Sequence, residues 1–443
     1  MINPTLSTLL ESLSLPSEFS KYDDLSPEKA ILDAWASKAA QVLSEVKGLL
    51  REVKGKDIEI VELGSIIARV APFVYDPASL NEADTPTVYE EERNVLRNES
   101  PWITRDSKQL SKEILDALHL QRNERLVKHV LESVVKPVFR ASNPHPHINP
   151  STGRSLPESR ISRPPQQGGF ASITQDFFES EGQRWKTSPG LSSVLYWCVD
   201  NTTSSMYDDV WHLVIPPLMT LLDDYQTRYK LLGLLIAQRM LQDVPAPLLG
   251  KTGIHGLLQT SFTKALAQQD SPLAPPILRL AISQSLRLLV LTTPDGTKAR
   301  FDGLCTLLGE GIITTVWTYT FDKPEIVRAT LDALPPVVET LGIGCARFIQ
   351  SLIPQLTHSL ILPSKQGLIP GAPPVDLLQL QLQLSSLRVL IPLMQFCAPR
   401  MHRWRLTILD ALVRCWPAAL LRIASLFRFV TLILMTKGKR KAN

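Results

Sequence analysis

Residues 214–240 read VIPPLMTLLDDYQTRYKLLGLLIAQRM. From Val214 to Leu222 nearly every position is apolar; Pro216 and Pro217 sit near the start and Asp223-Asp224 closes the run. Arg228-Tyr229-Lys230 then opens a second run in which Leu232, Leu235, Ile236 and Met240 recur at spacings of three and four. That spacing lays one apolar stripe along one side of a helix. The stretch therefore predicts two antiparallel helices: prolines bend the first, acids end it, and bases open the second. Acid and base are expected to cross-brace the turn. Neither helix can cover its own apolar side, so neighbouring pairs must stack to close a core.

The order apolar-Pro-x-Leu, Asp-Asp, basic-apolar helix is the pattern of a HEAT repeat. Its expected structural turn residues here are Pro216, Pro217, Asp223, Asp224, Arg228 and Lys230. Echoes follow at Leu352-Ile353-Pro354 with Leu356 and Leu360, and at Leu390-Ile391-Pro392-Leu393. Lys323-Pro324-Glu325-Ile326-Val327-Arg328 resembles the turn and second helix of the same unit.

Helical period dominates elsewhere. Leu32, Trp35, Ala39, Val42, Val46, Leu49 and Val53 form one stripe. Leu126, Val130 and Val134 form another, with Val127, Leu131 and Val138 beside them. Val327, Leu331, Leu334, Val338 and Leu341 form a third, inside which Pro335-Pro336 predicts a kink or a break. Ile349, Ile353, Leu356 and Leu360 form a fourth. Only Ile312 to Tyr319 (IITTVWTY) has the β-branched content of a strand, and its helical neighbours favour helix there too. The expected fold is all-α, a HEAT-like α-solenoid of stacked antiparallel helix pairs.

Residues 141–169 interrupt this pattern with six Pro and three Gly and almost no apolar periodicity. Pro fixes φ and removes a donor, so no helix is expected there, and the stretch reads as a flexible insertion or a long surface loop. It separates an N-terminal helical region (1–140) from a solenoid over 170–435, followed by a basic tail (436–443). Residues 362–375, LPSKQGLIPGAPPV, read as a shorter break.

Composition bounds the function. The 443 residues are 44% hydrophobic and 20% charged, too apolar for a disordered chain. Five scattered cysteines argue against a disulfide scaffold and favour a reducing compartment, and the start of the chain lacks a secretory pattern. The net charge of +4 conceals an asymmetry, since residues 362–443 hold twelve Lys/Arg and two acids. An anionic partner or a solvated surface would both account for that balance.

No catalytic arrangement emerges. Gly250-Lys251-Thr252 looks like the end of a phosphate loop, but Pro245 and Pro247 remove the amides such a loop needs. Thr252 reads instead as the N-cap of a helix starting near Ile254. His145 and His147 are close, yet Pro146 holds them apart and no acid or Cys is near, so no metal is expected. Asp223 and Asp224 read as turn residues rather than paired acid–base carboxylates. Neither a cofactor nor an enzymatic activity is expected.

Residues 417–435 (PAALLRIASLFRFVTLILM) have the length of a membrane span and a basic flank. Eleven strongly apolar side chains gain about 3 to 6 kcal/mol, whereas Arg422 and Arg428 cost about 5 to 7 kcal/mol. A terminal core helix, or a divergent chain end, is the better reading. Lys437 to Lys441 would suit a nuclear address or a solvated tail.

A wider set of residues carries a family resemblance. Gln183-Arg184-Trp185-Lys186 precedes a short helix with Tyr196-Trp197. Then come Trp211 to Asp224, Tyr229-Lys230-Leu231-Leu232-Gly233, Thr252-Gly253-Ile254, and finally Trp404 to Leu409 with Cys415-Trp416. This order, over residues 180–416, resembles the Tel-two-interacting protein two family, the small HEAT-repeat subunit of the Triple T co-chaperone complex. The 27 residues after Trp416 depart from the mixed-charge helix expected of that family. The resemblance implies a non-catalytic scaffold whose partners are a larger HEAT subunit and the Tel-two protein. It further implies maturation of phosphatidylinositol 3-kinase-related kinases with the ninety-kilodalton heat-shock chaperone, and through them telomere maintenance. The expected localisation is cytoplasmic, with a nuclear share as the second option. The basic residues Arg400, Arg403, Arg405 and Arg414, with Trp404 among them, are the candidate partner surface. Another HEAT-type scaffold and a C-terminally membrane-anchored helical protein are the alternatives; nucleic-acid binding and membrane attachment are not expected.

Overall fold

The computed structural model describes residues 4–21, 28–52, 58–75, 90–118, 123–140, 146–156, 183–320, 322–361 and 377–415. Among them the chain is all-α apart from one small hairpin, and it forms two compact units, Met1–Thr292 and Thr293–Asn443.

The first unit opens with α1 (Pro4–Ser12), α2 (Lys29–Glu52) and α3 (Ile60–Val74), followed by α4 (Glu90–Arg97) and α5 (Arg105–Ala117). The expected α2 stripe is realised in part: Leu32, Ala39, Val42 and Val46 are buried, Trp35 and Leu49 are half-buried, and Val53 lies outside the described residues. Thr104 and Ser107 close a reciprocal capping box that starts α5. A buried pair, Glu92 with Arg279, ties α4 to the last helix of the unit.

α6 (Glu124–Val130) continues through a π turn, Leu131–Val135, into α7 (Lys136–Arg140). A π turn adds one residue to the helical circuit, which rotates everything beyond it. The expected stripe therefore holds through Leu131 and then slips by one position. Val135 and Phe139 are buried, whereas Val134 and Val138 are only half-buried.

The repeat itself runs from α8 (Leu191–Asp200) through α9 (Tyr207–Asp223) and α10 (Thr227–Asp243) to α11 (Ala246–Thr252), α12 (Ile254–Ala265) and α13 (Ala274–Thr292). α9 packs on α10 and α12 on α13 as sequential pairs; α10 also packs on α13, so the pairs stack. Val210, Val214, Leu218 and Leu221 from α9 and Leu231, Leu234, Leu235 and Met240 from α10 are all essentially buried. Each such side chain contributes about 1.5–3 kcal/mol relative to exposure. Gly233 is where the pair closes, since a Cβ there would stand 2.9 Å from the Leu222 amide nitrogen.

The described part of the Pro-rich stretch is more ordered than its composition led one to expect. Ile148–Asn149 pairs antiparallel with Arg154–Ser155, and Ile148 is buried. The Trp211 indole donates to the Gly153 carbonyl at 3.0 Å in a buried setting. A buried indole N–H needs an acceptor, and the hairpin supplies it.

One further expectation is corrected. Thr252 is the last residue of α11, not an N-cap; its hydroxyl donates back to the Leu248 carbonyl at 2.7 Å, and Gly253, at φ 72°, starts α12. Glycine fits that left-handed turn without a Cβ penalty. Gly250, Lys251 and Thr252 thus form a helix end, where carbonyls rather than amides face outward.

The second unit contains α14 (Lys298–Thr306), which passes into a π-helix over Leu307–Trp317, then α15 (Pro324–Leu341), α16 (Ile349–Ile361), α17 (Leu377–Phe396) and a helix over 405–415, here α18. The IITTVWTY stretch is helical in the wide form. Thr314, Thr315 and Thr318 donate to carbonyls five residues back, following the expanded ladder. α15 runs unbroken through Pro335-Pro336, so that prolyl pair does not split the stripe. The stripes of α15 and α16 are buried at every expected position. α15 and α17 share a polar seam inside the core: Arg328 donates to Gln381, and Ser385 donates to Asp332. Residues 362–375 lie outside the described residues, as do 417–435 and the basic tail. Two described helices, α13 and α17, are long and apolar enough to cross a membrane; α13 lies mostly within the core of its own unit.

Candidate functional site

The Asp-Asp turn between α9 and α10 is a densely organised polar site. The chain there must reverse with few residues, so Asp224 ends α9 in an extended conformation and caps the return. Its Oδ1 accepts from the Gln226 amide at 2.8 Å, and its Oδ2 lies 2.6 Å from the Lys186 Nζ. Asp223 accepts from the Ser261 hydroxyl of α12 at 2.7 Å. One carboxylate thus holds the turn while the other links it to the next pair.

The bases of the turn divide their roles. Lys230 is buried and donates to the Leu222 carbonyl at 2.7 Å, so it closes the end of α9 through the backbone, where an acid–base contact was expected. Burial holds its ammonium below the ordinary lysine range, against the pull of Asp223 and Asp224. Arg228 does not bond to the Asp-Asp pair. It reaches the N-terminal helices instead, 3.3 Å from a Glu99 carboxylate oxygen, and donates to the Ser20 carbonyl at 3.0 Å. Burial raises the Glu99 carboxyl above its usual range, with Arg228 opposing.

Lys186 sits inside an aromatic enclosure. Its nitrogen lies 5.2 Å from the Trp185 ring, 4.5 Å from Tyr225 and 5.5 Å from Tyr229. Trp185 packs edge-on against Tyr229 and is stacked on Phe139. The Tyr229 hydroxyl donates to the Lys186 carbonyl at 3.2 Å. Such a cage holds a cation by ring quadrupoles plus one carboxylate. Here the cation is the chain's own, so the arrangement works as a fastener between segment 183–190 and the repeat. Sequence reasoning singled out Trp185-Lys186 and Asp224 separately; their pairing, and Glu99 and Ser261, had no local signal.

The basic candidates lie in the second unit. Ala398–Arg403 is a 3-10 turn, and α18 follows after Trp404. Arg400, Arg403 and Arg405 are exposed, Trp404 is half-buried, and Arg414 is exposed with its guanidinium 3.0 Å from Asp410. The turn residues Pro216 to Lys230 belong to the first unit and are a separate site. Among the described residues no group of three His, Cys, Asp or Glu side chains converges to hold a metal ion, and His145 lies outside them.

The Tti2 family model matches residues 94–365, more than half of the chain and including the whole Asp-Asp turn. The chain belongs to the Tti2 family. A curated relative, TELO2-interacting protein 2 of Rattus norvegicus, is 24% identical over 172 residues. That alignment covers 38% of this chain and 33% of the relative, so the chain matches about a third of the relative's length. No solved structure matches. The family segment contains the Lys186–Asp224 fastener and the α15 stripe, whereas Arg400 to Arg414 lie beyond it.

Proposed function

We propose that this chain is a non-catalytic adaptor subunit of a Triple T-type co-chaperone complex. It would bind a larger HEAT subunit and the Tel-two protein, and so support maturation of newly made phosphatidylinositol 3-kinase-related kinases with the ninety-kilodalton chaperone. The observation that carries this reading is Tti2 family membership over residues 94–365. The name of the rat relative, an interactor of TELO2, agrees with it. Stacked helix pairs offer extended surfaces for such a role, in which apolar anchors give affinity and a charged rim guides encounter. The rim we assign is Arg400, Arg403 and Arg405, with Trp404 and Arg414 beside them. The work belongs in the cytoplasm, where newly made kinases meet chaperones.

The test is depletion of this protein followed by pulse-chase of the kinases, with rescue by the wild-type chain or by Arg403→Glu with Arg405→Glu. The expected result is a shortened lifetime of newly made kinases, restored by the wild type and poorly by the double variant. Kinase lifetimes unchanged by depletion would overturn the function.

A further inference from the structure

Among its described residues the second unit ends in two helices that are apolar on both sides. In α18, Ile408, Ala411 and Cys415 are buried, while Leu406, Leu409 and Val413 are 73%, 55% and 66% exposed. Both sets follow the spacing i, i+3, i+7, and at about 100° per residue they project in opposite directions. α17 repeats the design: Leu382, Val389 and Leu393 are buried, while Leu377, Leu384 and Ile391, seven apart, stand exposed. A helix with two opposed apolar faces is suited to the middle of a stack rather than to its surface.

Within residues 377–415 the charges that flank the α18 ridge are mostly basic. Arg400, Arg403 and Arg405 are exposed just before it. Asp410 is the sole acid in residues 377–415, and it is paired with Arg414. Three occupants are conceivable, and charge separates them. A second copy would set the same arginines against each other. The chain's own residues 416–443 carry an apolar run, but with six cations and no acid they would set like charge against Arg403 and Arg405. Opposite charge has to come from elsewhere.

We propose that Leu406, Leu409 and Val413 form the anchor of a protein interface, and that its occupant is an amphipathic helix of another chain flanked by acidic residues. This rests on the adaptor reading above and assigns its parts: the apolar ridge sets how long the partner stays, and Arg403 and Arg405 set how fast it arrives.

The test uses the full chain reconstituted with the larger HEAT subunit, with Leu409 replaced by the photo-crosslinker benzoyl-phenylalanine and the products mapped by mass spectrometry. The expected product joins position 409 to an acid-flanked helix of that subunit. In kinetic binding, Leu406→Asp with Leu409→Asp should raise the dissociation rate by about tenfold or more. Arg403→Glu with Arg405→Glu should slow association at low salt and lose that effect at high salt. Both variants alter exposed side chains, and an unchanged circular dichroism spectrum verifies their fold. A complex that forms without this crosslink overturns the proposal and leaves the adaptor function standing. So does a crosslink to residues 416–443 or to a second copy. Failure of the unmodified chain to form any complex with the larger subunit overturns both.

Discussion

Lys186 and Asp224, thirty-eight positions apart, meet with the lysine nitrogen 2.6 Å from a carboxylate oxygen and both side chains largely out of solvent. Tyr225 lies against the same ammonium, 4.5 Å from nitrogen to ring centre. Removing one member of such a pair leaves the other charge without its partner, which costs about 3–5 kcal/mol in buried settings. Asp224→Ala is therefore expected to destabilise the first unit by that order. Lys186→Met combined with Asp224→Ala should cost less than the single Asp224 change, because no lone ammonium remains. Urea unfolding of the four variants measures the cycle; simple additivity would show that the two residues are not coupled.

Glu99 carries a pH dependence. Burial raises its carboxyl above the ordinary value of 4.5, so the folded chain holds this proton more tightly than the unfolded one. The associated stability is fully present below pH 4.5 and is lost as pH rises through the folded-state value. Glu99→Gln should flatten that segment of a stability-versus-pH curve measured at fixed salt. An unaltered slope would mean that Glu99 titrates alike in both states.

At Gly153 the backbone is left-handed, φ 63°, and an added Cβ would lie 2.9 Å from Trp211 Cδ1 and 3.1 Å from the backbone of His212. The conformation alone costs an alanine about 1–2 kcal/mol. Gly153→Ala should lower the thermal midpoint and increase proteolytic cutting within 146–156. Gly296, with a similar φ but open space around it, is the control that should suffer less when changed to alanine.

Thiol reactivity should separate the cysteines. Burial raises the Cys198 thiol far above its ordinary range and pushes Cys345 up to about 12. Cys397 and Cys415 are buried as well, whereas Cys305 is partly exposed; burial raises its thiol too, with Arg347 opposing. Because the thiolate is the reactive species, native labelling at pH 8 is expected to modify Cys305 first. Cys305→Ser should remove that fast phase. Persistence of the phase would place the accessible thiol elsewhere.

These relationships also mark what was readable in the sequence. The all-α class, the α9–α10 pair and the stripes of α2, α15 and α16 follow from spacings of three and four, because burial repeats once per helical turn. The α6 stripe was legible only to Leu131, since nothing local announced that a π turn would bring Val135 and Phe139 inward. The hairpin at 148–155 was hidden because its stability comes from a distant tryptophan rather than from its own composition. At the Asp-Asp turn, acid and base were expected to face one another. Arg228 instead bonds more than one hundred residues back in the chain, to Glu99 and Ser20, because those groups, and not the adjacent carboxylates, lie within its reach in the packed unit. The two-sided apolar pattern of α18 was present in the letters, but which side stayed exposed depended on packing.

As the proposed adaptor, this chain works by being bound. Sedimentation velocity of the purified full chain mixed at equal concentration with the larger HEAT subunit tests it most directly. One boundary that sediments faster than either protein alone and incorporates both is expected. Two boundaries at the positions of the separate proteins, at concentrations well above micromolar, would contradict it.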